Sequence, residues 1–70
     1  MNDTLNALYD SEINVEISSF WDGGWTVKIG DQMNGFKAEM TFDDLDENTA
    51  RWLTKTACEL YPESVFAKAQ

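Results

Sequence analysis

Three successive stretches of this chain alternate apolar and polar residues, and turn-forming residues separate them. In the first, Ile13, Val15 and Ile17 alternate with Asn14, Glu16 and Ser18. In the second, Trp25, Val27 and Ile29 alternate with Thr26 and Lys28; in the third, Phe36, Ala38, Met40 and Phe42 alternate with Lys37, Glu39 and Thr41. A period of two marks a half-buried strand, and glycine-rich breaks between such runs mark hairpins. The breaks here are Asp22-Gly23-Gly24 and Asp31-Gln32-Met33-Asn34 before Gly35.

Register follows from parity, because a slip of one residue turns a whole apolar set to the other face. A two-residue first loop sets Ile17 against Lys28 or Gly30. A loop of Asp22 to Gly24 pairs Trp21 with Trp25, Ser19 with Val27 and Ile17 with Ile29, and Gly24 suits the left-handed last position of such a loop. A four-residue second loop pairs Ile29 with Phe36, Val27 with Ala38 and Trp25 with Met40. Both hairpins then place Trp25, Val27 and Ile29 on one buried face. Ser18, Thr26, Lys28, Lys37, Glu39 and Thr41 share the wet face.

After Phe42 the period becomes helical. Leu45, Thr49, Trp52, Leu53, Thr56, Ala57 and Leu60 fall in one stripe. Asp44, with Glu47 three residues on, reads as a helix cap, and Glu47–Arg51 and Lys55–Glu59 have the spacing of exposed ion pairs. Pro62 ends the helix near Leu60 or Tyr61. Val65 and Phe66 are expected to dock as an extended segment or a short turn. Residues 1–10 read as a flexible or short helical segment, with Asp3 capping a turn that carries Leu5, Leu8 and Tyr9. The expected fold is α+β: a single β-β-β-α domain over residues 11–70, a three-stranded antiparallel meander with one C-terminal helix on one face.

Seventy residues bury only about 60% of their unfolded surface, so the core is small. Apolar residues are 43% of the chain, which is too many for a disordered tail. Cys58 is the only cysteine, so no internal disulfide forms, and a reducing, cytoplasmic setting is expected. Met1 to Thr4 lack the basic start of a signal peptide, and no apolar run reaches the ~20 residues of a membrane span. The net charge is -8, and Lys28, Lys37, Arg51, Lys55 and Lys68 are scattered. Clustered bases are what phosphate backbones require, so neither direct nucleic-acid binding nor an anionic membrane is expected. A basic partner protein is electrostatically favoured.

Chemistry-bearing residues are few. Without histidine the commonest general base and transition-metal ligand are missing, and with one cysteine structural zinc is out. Asp43, Asp44, Asp46 and Glu47 lack the alternating ligands and central glycine of a calcium loop, and acids are favourable in a first helical turn. Cys58 reads as a surface thiol opposite the Leu53–Leu60 stripe, with no base beside it. No catalytic residue, cofactor or metal site is expected, and the chain reads as a non-enzyme. Trp21, Trp25, Phe36, Phe42 and Trp52 read as core. Phe20 falls on the wet face opposite Thr26, where folding alone favours a polar residue. Phe20, Trp21, Asp22 and Trp25 at the hairpin end are the candidate partner-binding residues, since aromatics are enriched at interface hot spots.

The order strand, glycine hairpin, strand, strand and acid-capped helix resembles the small domain of HicB-type antitoxins. The matching stretches are Asp22-Gly23-Gly24-Trp25-Thr26-Val27 and Thr41 through Leu60, with Gly30 to Gly35 standing where that family has a proline-containing stretch. The resemblance is one of layout and assigns no residue a role. Two functions follow as expectations. One is a small acidic protein-interaction module, an adaptor or accessory subunit, present as a monomer or weak homodimer. The other is an acidic inhibitor, an antitoxin-like or nucleic-acid-mimic protein acting on a basic partner.

Overall fold

The computed structural model describes all 70 residues. In chain order the elements are α1 (Asn2–Asp10), β1 (Val15–Phe20), β2 (Gly24–Asp31), β3 (Gly35–Phe42), α2 (Glu47–Leu60) and α3 (Val65–Lys68). The strands form one antiparallel sheet in the order β1-β2-β3. The α+β class and the meander are as the alternation predicts, but the helices number three, not one. Val27 and Ile29 on the inner sheet face cluster with Leu8 of α1, Ile13, Leu53 and Ala57 of α2, and Phe66 of α3.

Both hairpins are paired two residues away from the register expected above. In the first, Val15 faces Ile29, Ile17 faces Val27, Ser19 faces Trp25 and Phe20 faces Gly24. In the second, Val27 faces Met40, Ile29 faces Ala38 and Trp25 faces Phe42. An even slip keeps every side chain on its face, so parity cannot detect it; backbone proximity at glycines decides. Gly24 has φ +79° and lies so close to β3 that a Cβ there would sit 2.6 Å from the Phe42 carbonyl oxygen. Gly30, at φ +117°, is equally tight against the Gly35 carbonyl. That crowding accompanies a bulge between Ile29 and Gly30, beyond which Gly30 faces Phe36. The bulge turns Phe36 to the outer face, where Lys28 Nζ lies 4.9 Å from its ring centre. Phe36 is therefore not core, as its parity with Ala38 and Met40 suggested.

Asn2–Asp10 form a helix docked into the core, and Leu8 is fully buried. Asp3 does not cap it; it lies in the first turn behind Met1. The helix ends in a Schellman turn: Ile13 N–H donates to Leu8 C=O and Glu12 N–H to Tyr9 C=O, both at 3.0 Å. Leu8 and Ile13 make the hydrophobic contact that accompanies this motif. The left-handed position is held by Glu12, at φ 60°.

The cap of α2 is Asp46, not Asp44. Its carboxylate accepts from Asn48 N–H at 2.9 Å, and Thr49 Oγ1 accepts from Asp46 N–H at 3.2 Å, so threonine closes the capping box. The helix stops at Leu60, as Pro62 requires. Thr49, Leu53 and Ala57 are buried along its inner stripe. Glu47 and Arg51 pair at 3.7 Å on the surface, whereas Lys55 and Glu59 form no ion pair. The tail is a short helix. Ser64 Oγ accepts from Ala67 N–H at 3.1 Å, which starts α3 and drives Phe66 into the core.

Candidate functional site: the end of the first hairpin

A turn closed by Gly23 N–H donating to Phe20 C=O at 2.9 Å ends the first hairpin. Trp21, Asp22 and Gly23 form its tip. Phe20 keeps the outer face that parity assigns it, but stands opposite Gly24, not Thr26. A glycine partner offers no side chain to shield the ring, and Phe20 is 69% exposed. Trp21, moved from the ladder into the turn by the register shift, is 99% exposed and is not core. Asp22 is exposed beside it.

Trp25 does not join that surface. It shares the inner face with Val27 and Ile29, pairs with Ser19 and Phe42, and is half-buried. Phe42 meets Trp52 of α2 edge-on, with ring centres 5.8 Å apart. The aromatic packing that fixes the hairpin's base is thus on the helix side, while Phe20 and Trp21 face solvent. Of the four candidate residues, the structure brings Phe20, Trp21 and Asp22 together and sets Trp25 beneath them.

The other chemistry-bearing residues lie outside the hairpin end. Asp46 is bound up in the α2 cap. Nowhere do three His, Cys, Asp or Glu side chains converge as metal ligands would. Cys58 is half-buried and packs against the core instead of lying on the open side of α2. Asp31 organises the second hairpin: its carboxylate accepts from Asn34 N–H at 2.7 Å, Asn14 Nδ2 at 2.9 Å and Asn34 Nδ2 at 3.3 Å. These donors, the Asn34 backbone first, hold its pKa below the ordinary aspartate value.

A second surface, between α1 and β1, escaped the sequence reading. An open groove of about 530 Å³ is lined chiefly by Leu5, Tyr9, Ile13, Val15 and Ile17. The spacing of Leu5, Leu8 and Tyr9 hinted at it, but those residues divide: Leu8 is buried while Tyr9 is 82% exposed. No helix of the chain is long and apolar enough to cross a membrane. Compared with protein-family models, curated proteins and solved structures, the chain matches none, and its site rests on its own residues.

Proposed function

We propose that the chain is a small acidic protein-interaction module whose contact patch is the first hairpin's end, with Phe20 and Trp21 as anchors and Asp22 at the rim. The observation that carries this reading is the adjacency of two large aromatic side chains, 69% and 99% exposed, on a turn with nothing packed over them. A lone exposed ring is ordinary on a soluble surface, but two in succession beside an acid form the amphipathic anchor that interfaces favour. Trp25, wedged between Ser19 and Phe42 on the inner face, keeps the hairpin base rigid, so the patch is presented with little loss of freedom on binding. Asp22 and the net charge of -8 favour a basic partner and mainly speed its approach.

Phe20→Ala separates this role from a folding role. The ring is mostly unburied, so stability should change by no more than about 0.5 kcal/mol. The same truncation in a filled partner pocket should weaken capture of the native partner by about 2 kcal/mol. An unchanged melting temperature with lost capture supports the patch. Unchanged capture puts the binding surface elsewhere.

A further inference from the structure

The edge of β1 is unpaired and stands beside the α1–β1 groove. Gly30 N–H donates to Asn14 C=O at 2.8 Å, so the even-numbered residues of this ladder bond to β2. By the alternation of an antiparallel pair, Val15, Ile17 and Ser19 turn their N–H and C=O groups outward. The opposite edge is guarded: β3 carries Lys37 at its bulge and Glu39 beyond it. On β1 there is no proline, lysine or bulge, the usual devices that block pairing with another chain. The surroundings are predominantly acidic, and Lys28, which stands across from Glu16 on the outer face, is itself paired with Glu39 at 3.9 Å. Residues 1–27 contain five acids and no lysine or arginine. Asp10 and Glu12 border the groove's end, and Glu16 lies on the outer face of β1.

We propose that the β1 edge takes an extended segment of a basic partner protein by strand addition, with apolar residues at alternate positions and Lys or Arg between them. A strand added about 4.8 Å from β1 sends alternate side chains to opposite faces. One set then lies over the groove against Leu5, Tyr9 and Ile17; the other lies on the outer face beside Glu16. Main-chain bonds to Val15, Ile17 and Ser19 provide affinity, and the groove selects the apolar positions. A second copy of this chain is the wrong occupant, because it brings the same acids against these. The surface is separate from the Phe20–Trp21 patch and stands or falls without it.

The test uses the whole chain and a capped peptide of about ten residues alternating Val and Lys, a length that spans the edge. Its comparators are oligolysine, the Val–Glu counterpart, and Val–Lys peptides N-methylated at every Val or at every Lys. The Val–Lys peptide should slow amide exchange at Val15, Ile17 and Ser19 by roughly tenfold or more, as new main-chain bonds do. N-methylation in one of the two registers should weaken binding by about tenfold or more, as should exchange of Lys for Glu. Glu12→Gly should weaken binding severalfold without lowering the melting temperature, which separates lost charge from lost fold. Equal binding of oligolysine with no slowing at these amides would overturn the proposal, as would protection of the same amides in a peptide-free dimer.

Discussion

Glu12 occupies the left-handed position that closes α1, where glycine carries no steric penalty. A side chain there costs about 1–2 kcal/mol, and glycine returns part of that through its freer unfolded state. Glu12→Gly should therefore stabilise the chain by about 0.5–1 kcal/mol in urea unfolding; a loss of stability would mean that its carboxylate matters to the fold. Asp31 makes a pH-dependent contribution. Its donors favour the charged form only in the folded chain, so its pKa is depressed on folding. The stabilisation is present above the ordinary aspartate value and is lost as pH falls through the depressed one. Asp31→Asn should melt below the parent at neutral pH, and the gap should narrow in acid; a pH-independent gap would contradict the linkage. Parity alone made Phe20's outward position legible. It did not reveal Trp21's place in the turn, because a slip of two residues is silent in an alternating pattern. Phe36 misled for a related reason: the bulge beside Gly30 reverses its face, and Gly30 looks in sequence like any other glycine.

Among the elements, β1 to β3 and α2 were legible because each has a period and a stop: glycine breaks for the strands, Pro62 for the helix. Their inner residues, Val27, Ile29, Leu53 and Ala57, are the buried ones. The element left undecided between a flexible and a short helical segment, and left out of the expected domain, was α1. It spans nine residues, has no side-chain cap, and ends without glycine, so neither its start nor its stop carries the usual signal. Its helicity comes from burial of Leu8 against Ile13, Leu53 and the sheet, and a helix this short is marginal alone. Leu8→Ala should cost about 2–5 kcal/mol, as for a fully buried leucine. Thermal unfolding checks this; a cost below about 1 kcal/mol would return α1 to a frayed terminus. The α1–β1 groove was illegible for the same reason, since one of its walls is that helix.

The whole molecule measures 37 × 27 × 17 Å. Its least dimension accommodates one sheet and one helix layer, and all the buried hydrophobic residues lie in the core between them. Lys28 sits near the middle of the bare face, 3.9 Å from Glu39 and over Phe36, so that face is largely self-satisfied. The first 27 residues differ in character from the remainder. They carry every unpaired feature described above: the open edge, the groove, the Phe20–Trp21 tip and five acids with no base. The rest, β3 and α2 above all, supplies packing and caps. On the proposed reading, partners meet the molecule through these N-terminal residues. The most direct measurement is an amide chemical-shift titration of the labelled chain with its captured native partner. Perturbations should gather at Phe20–Gly23, with the amides of α2 unmoved. Perturbations centred on Glu47–Leu60, with the hairpin end unmoved, would contradict that reading.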